Sequence, residues 1–118
     1  MSNRNIVRFI WTICFLVGAS THARDIWAGG WLPYDYAPLA VNFFWTLLLP
    51  LDLLAALILW AKPKLGASLG LAIMISDVAV NSWMQFALGI SMGYALWLQI
   101  AFLLFILATC KIVMQEGA

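Results

Sequence analysis

The sequence predicts an all-α membrane protein: a four-transmembrane-helix bundle with both termini in the cytoplasm. Of its 118 residues, 65% are hydrophobic and only 9% are charged, and the mean hydropathy is +0.98. A soluble domain of this size cannot hide so much apolar surface, because small domains bury only part of their chain. The apolar runs also reach the roughly 20 residues that a helix needs to cross a bilayer. We therefore predict one integral membrane domain, residues 1–118.

Hydropathy divides the chain into four spans and one long outer loop. The predicted spans are residues 6–21, 39–61, 65–88 and 93–114. The outer loop, residues 22–38, contains two glycines in succession and two prolines, which prevent a continuous helix. Its tryptophans and tyrosines predict an aromatic belt in the lipid headgroup zone. A lid or lateral doorway over the bundle is the alternative.

Basic residues indicate the orientation. Five of the six Lys and Arg residues flank the spans on the side of the termini, and only Arg24 lies on the opposite side. Cytoplasmic loops are enriched in Lys and Arg, so we predict a multi-pass protein of the cytoplasmic (inner) membrane. The first span has a second interpretation, because its basic start, apolar core and small residues 19–23 also fit a cleaved secretory signal peptide.

Two aspartates lie near the middle of neighbouring spans. Asp52 is in the second span and Asp77 in the third. If the two spans form an antiparallel helical hairpin whose midpoint in sequence lies between Lys64 and Leu65, the two aspartates lie opposite each other at one depth. Inserting one Asp at a helix centre costs about 2.5–3.5 kcal/mol. Interhelical hydrogen bonds contribute only about 0.6 kcal/mol on average. Packing alone does not explain two such residues, and the pair is predicted to be a functional site.

Helical periodicity places further side chains on the faces of these two aspartates. Asn42 and Trp45 share the face of Asp52, whereas Asn81 and Met84 share that of Asp77. Polar groups that face lipid have no water to bond, so both faces should turn inward. The predicted ligand-binding residues are Asp52, Asp77, Asn81, Asn42, Gln85, Trp45 and Met84.

Several classes of function are not indicated. A net charge of +1 provides no electrostatic surface for nucleic acid. Cys14 and Cys110 fall inside apolar runs and are interpreted as packing residues, and His22 is the only histidine, so neither a zinc site nor a haem ligand pair is predicted. We predict no metal, cofactor or catalytic residue.

The acids in adjacent spans and the outer aromatic loop resemble, at the level of topology, those of the emopamil-binding and sigma-2-receptor-like membrane proteins. Those proteins have four or five spans and buried acids around a chamber for amines or sterols. The resemblance implies a chamber of this kind and assigns no role to individual residues.

Three functions are compatible with these patterns. The leading hypothesis is binding or transport of a small cation, amine or amphipathic ligand at the acidic pair, by a homodimer or within a larger membrane complex. The first alternative is an accessory or assembly subunit whose acids meet a basic residue of a larger partner. The second is a lipid- or sterol-modifying isomerase that uses the acids as an acid/base pair.

Overall fold

The computed structural model describes residues 2–115 as four helices. These are α1 (Asn3–Gly29), α2 (Leu39–Ala61), α3 (Pro63–Phe86) and α4 (Tyr94–Met114). Each is long and apolar enough to cross a membrane. The predicted all-helical fold class is thereby confirmed, and four helices of spanning length indicate an integral multi-pass membrane protein.

The first helix is longer than the predicted first span. Hydropathy ended that span at Thr21 because the next turn contains His22, Arg24 and Asp25, but the helix continues to Gly29. Polar residues lower hydropathy without breaking a helix. The connection between α1 and α2 is therefore residues 30–38, about half of the predicted outer loop. The bounds of α2 agree with the prediction, and those of α3 and α4 agree within two residues.

A very tight turn joins α2 and α3. Pro63 is the first residue of α3, a position that suits proline because its φ is already helical and its missing N–H is not needed. Lys62 alone separates the two helices. Immediately after the turn, Gly66 packs on the backbone of α2: a Cβ atom there would overlap the N and Cα atoms of Leu59.

This turn corrects the predicted register of the hairpin. Gly66 lies against Leu59, and Trp45 Nε1 donates a hydrogen bond to Asn81 Oδ1 at 2.8 Å. In the sequence, the midpoint between the two residues of each pair falls near Lys62 and Pro63. The predicted midpoint lay between Lys64 and Leu65. The two aspartates are consequently offset by about one helical turn instead of lying at one depth.

The four helices form a ring in chain order, because each packs against the next and α4 returns to contact α1. We call the end of the ring with Lys62, Lys64 and Lys111 the basic end. The opposite end, with the connections of residues 30–38 and 87–93, is the loop end.

Arg8 joins the first and last helices at the basic end. Its buried side chain donates from Nε and Nη2 to Val113 O at 3.2 and 2.9 Å, and from Nη2 to Gln115 O at 2.5 Å. Carbonyl groups at a helix C-terminus lack intrahelical donors and carry partial negative charge, which a guanidinium stabilises. Nearby, Trp11 Nε1 donates to Thr109 Oγ1 at 3.0 Å. We call the Arg8 contacts the Arg8 clasp.

Apolar side chains cover the outside of the bundle, and polar side chains are buried inside it. Large apolar side chains on the outer faces are more than half exposed, among them Phe9, Leu47, Leu57 and Leu104. Between residues 2 and 115, six polar or charged side chains are buried: Arg8, Asn42, Thr46, Asp52, Asp77 and Asn81. This distribution is expected for a bundle surrounded by lipid, where polar groups must find partners within the protein.

Candidate functional site

Aromatic side chains of α1 fill the axis of the bundle in its basic half. Trp11 and Phe15 are buried, and a Cβ atom on Gly70 of α3 would lie 3.0 Å from the Phe15 ring. Phe15 also packs edge-to-face against Phe102 of α4, with ring centroids 5.4 Å apart. One turn further along α1 comes Gly18, which has no side chain to fill the axis. The loop half of the bundle is therefore left open.

A cavity of about 580 Å³ occupies this open half and is bounded by all four helices and by residues 30–38. Small-molecule sites typically have volumes of about 300–1,000 Å³. Asp52, Asp77 and Phe15 line the end of the cavity that lies deep in the bundle, which we call the floor. Tyr34 and Tyr36 line its end nearest the loop end, which we call the roof.

Two buried carboxyl groups face the floor of the cavity. Asp52 is 4% exposed and Asp77 is 5% exposed. A Cβ atom on Gly18 would lie 2.7 Å from Asp52 Oδ2, so this carboxyl group lies directly against α1. Asp77 Oδ1 is buried and has no hydrogen-bond partner within residues 2–115. Both carboxyl groups line the floor of the cavity, which is therefore its acidic end.

A row of hydrogen bonds crosses the bundle beside the acids. Trp45 Nε1 donates to Asn81 Oδ1 at 2.8 Å, and Asn81 Nδ2 donates to Gln99 Oε1 at 2.6 Å. The three side chains come from α2, α3 and α4, and all of them line the cavity. Because both ends of the Asn81 amide are bonded, its orientation is fixed and it holds the other two in place.

Tyr34 covers the loop end of the cavity. It is 7% exposed, its hydroxyl donates to Asp25 Oδ2 at 2.7 Å, and His22 Nδ1 lies 2.9 Å from the same hydroxyl. Since the phenol proton goes to Asp25, His22 donates through Nδ1–H, which fixes its tautomer. Burial and the hydrogen bond to Asp25 raise the pKa of Tyr34, so the phenol stays neutral and the contact holds.

Asn42 holds the same loop from the side of α2. Its Oδ1 accepts from Tyr34 N at 3.1 Å, and its Nδ2 donates to Leu32 O at 3.0 Å. Leu32 has φ +56°, a left-handed conformation that is uncommon for a bulky residue. The amide of Asn42 therefore stabilises a strained loop.

Some residues of the predicted outer loop fit its interpretation as a lid, and others fit its interpretation as an aromatic belt. Tyr34 and Tyr36 line the cavity as a lid, and the Trp45 ring contacts both at centroid distances of 5.2 and 6.0 Å. Trp27 and Trp31 are 92% and 77% exposed on the outer surface, as a belt requires.

Four of the seven predicted ligand-binding residues line the cavity: Asp52, Asp77, Asn81 and Trp45. The other three do not. Asn42 binds the loop, Met84 is fully buried in the apolar core, and Gln85 Oε1 accepts from Met92 N at 3.1 Å in the connection between α3 and α4.

The cavity also contains residues that the sequence reasoning left out of the site. Gly18 lies against Asp52, and Gln99 accepts a hydrogen bond from Asn81. Asp25 and His22 both bond to the hydroxyl of Tyr34. A signal existed for Gly18, because it is the only glycine in the first predicted span. A lone glycine in a helix costs stability and often marks a close approach of another group.

Residues 2–115 contain no group of three or more His, Cys, Asp or Glu side chains that could hold a metal ion, and both cysteines are free.

Comparisons with protein-family models, curated proteins and solved structures found no match.

Proposed function

We propose that this protein binds a small organic cation, an amine, in the cavity, with Asp52 and Asp77 as its counter-charges. The observation that carries the proposal is at Asp77, which lines the cavity and whose buried Oδ1 has no hydrogen-bond partner within residues 2–115. Leaving a buried polar atom unbonded costs about 1–3 kcal/mol, and more for a charged group. An ammonium N–H would offset this cost.

The composition of the walls favours an ammonium ion over a metal ion. Hard cations such as Ca²⁺ take about six to eight oxygen ligands, whereas the floor offers two carboxyl groups. Aromatic rings of Phe15, Tyr36 and Trp45 line the same space, and ring faces attract organic cations. A cavity of about 580 Å³ also has room for an organic molecule.

The proposed location is the cytoplasmic membrane, with the termini and the basic end facing the cytoplasm. Lys62, Lys64 and Lys111 support this orientation, because Lys and Arg are enriched in cytoplasmic segments. In this orientation the cavity lies in the outer half of the bundle. A guest would then be taken from the outer leaflet or from the solution outside.

Native mass spectrometry of the protein extracted in a mild detergent tests the proposal. We expect n-octylamine to add one adduct per chain, whereas n-octanol, which has the same tail without the charge, should add none at the same concentration. Equal occupancy by the alcohol would show an apolar cavity that does not use its acids, and would contradict the proposal. A stoichiometric protein partner without any amine adduct would favour the accessory-subunit alternative.

Gly18→Ala is expected to weaken n-octylamine binding by about tenfold and to leave the fold intact. The new Cβ atom would lie 2.7 Å from Asp52 Oδ2, and the carboxyl group can rotate away at a cost of about 0.5–1.5 kcal/mol. Binding titrations and thermal denaturation in detergent measure the two effects. Ser20→Ala, at an exposed position of the same helix, is the matched control. Equal affinities of the two variants would show that the position of Asp52 does not matter for binding.

A further inference from the structure

We infer that the guest is an elongated diamine, with one ammonium group at the acidic floor and a second at the roof of the cavity. This inference rests on the proposed function and extends it. Two observations carry it: a third carboxyl group at the roof, and the distance between floor and roof.

The roof has an anionic group of its own. Asp25 lines the cavity, and its Oδ2 accepts the hydroxyl proton of Tyr34 at 2.7 Å. No hydrogen bond to its other oxygen is described within residues 2–115. A carboxylate accepts several hydrogen bonds, so Asp25 can receive an ammonium N–H while it keeps the contact with Tyr34.

The rings around Asp25 also suit a cation. Tyr34, Tyr36 and Trp45 contact one another with centroids 5.2–6.4 Å apart, and Tyr34 is nearly perpendicular to both neighbours. All three line the cavity. Their planes point in different directions, and the negatively polarised faces of aromatic rings attract cations.

The separation of floor and roof can be read from two helices. On α1, Asp25 lies seven residues after Gly18, which touches Asp52. On α2, Trp45 lies seven residues before Asp52. At about 1.5 Å per residue, both intervals correspond to about 10 Å along the axis. A guest that reaches both ends needs two cationic groups separated by a chain of roughly that length.

Equilibrium binding to the full-length protein in nanodiscs tests the inference. We expect 1,8-diaminooctane to bind at least about tenfold more tightly than n-octylamine, because attachment of the first ammonium makes the second contact intramolecular. Putrescine is too short to reach both ends, and 1,12-diaminododecane is too long, so both should bind more weakly than the eight-carbon diamine.

A variant of the roof gives the decisive comparison. Asp25→Asn keeps an oxygen that accepts from Tyr34 but removes the charge, and it should lower the affinity for 1,8-diaminooctane to that for n-octylamine. Asp35→Asn makes the same charge change at an exposed loop position that does not line the cavity. It should retain the full preference for the diamine.

The possible outcomes separate this inference from the proposed function. A diamine that binds no better than n-octylamine, an affinity that keeps rising with chain length, or an Asp25→Asn variant that retains the preference would each overturn the inference and leave the amine site standing. Failure of every amine to bind the wild-type protein would overturn the proposed function itself.

Discussion

Asp77→Asn is expected to lower the affinity for n-octylamine by about 100-fold, or about 3 kcal/mol. Asparagine has nearly the same volume and keeps one oxygen acceptor, so the substitution removes mainly the charge. Asp77 Oδ1 has no partner within residues 2–115, so no described neighbour compensates the carboxylate in place of the guest. Removing one member of a buried charge pair typically costs several kcal/mol.

Titration of wild-type and variant protein in the same nanodiscs measures this loss. Asp35→Asn is the control, because it changes the net charge equally at an exposed position outside the cavity. Wild-type binding should also weaken as the pH falls, since protons and the amine compete for the same carboxyl groups. An Asp77→Asn variant with wild-type affinity would show that amines bind elsewhere.

The second large effect concerns folding: Gly66→Ala is expected to destabilise the protein by more than about 2 kcal/mol. Helix propensity alone predicts the opposite, because alanine is favoured over glycine by about 1 kcal/mol in a helix. The added Cβ atom would, however, overlap the N and Cα atoms of Leu59 and lie 2.8 Å from the Ile58 carbonyl carbon. Backbone atoms cannot rotate away as side chains do, so α2 and α3 must separate.

Thermal unfolding in a mild detergent, followed by circular dichroism, measures the change in stability. Ser68→Ala is the matched control, because Ser68 is exposed on the same helix one half-turn away. It should shift the melting temperature little. A Gly66→Ala variant that melts at the wild-type temperature or above it would show that α2 and α3 have room for a Cβ atom at this position.

Local patterns were sufficient to predict four helices, but not how the helices pair. Hydropathy placed α2 at residues 39–61, as observed. The register depended on where α3 begins, and hydropathy began it at Leu65 because Pro63 and Lys64 are not apolar. Proline at the first helical position moved the turn by two residues, enough to shift Asp77 by about one turn relative to Asp52.

Periodicity predicted the direction of side chains better than their partners. Asn42 and Asn81 both turn inward, as their positions required. Asn81 lines the cavity, whereas the amide of Asn42 is occupied by the backbone of the loop at Tyr34 and Leu32. Whether an inward-facing amide lines the cavity or bonds to the loop backbone depends on the loop conformation. The helical periodicity of the sequence contains no information about that conformation.

The cavity itself could not be predicted, because it arises from a change of side-chain size along one face of α1. Trp11 and Phe15 fill the axis, and Gly18 leaves it open. Recognising this pattern requires knowing that this face of α1 points at Asp52 and Gly70. Such contacts between distant segments become visible only once the bundle is assembled.

The Arg8 clasp has a consequence for how the protein is made. The helix α1 is synthesised before α4, and the acceptors of Arg8 are the carbonyl groups of Val113 and Gln115, which lie 105 and 107 residues later in the chain. These two acceptors are therefore missing until α4 has been made. A chain truncated within α4 would lack both acceptors, and its bundle would stay open between α1 and α4.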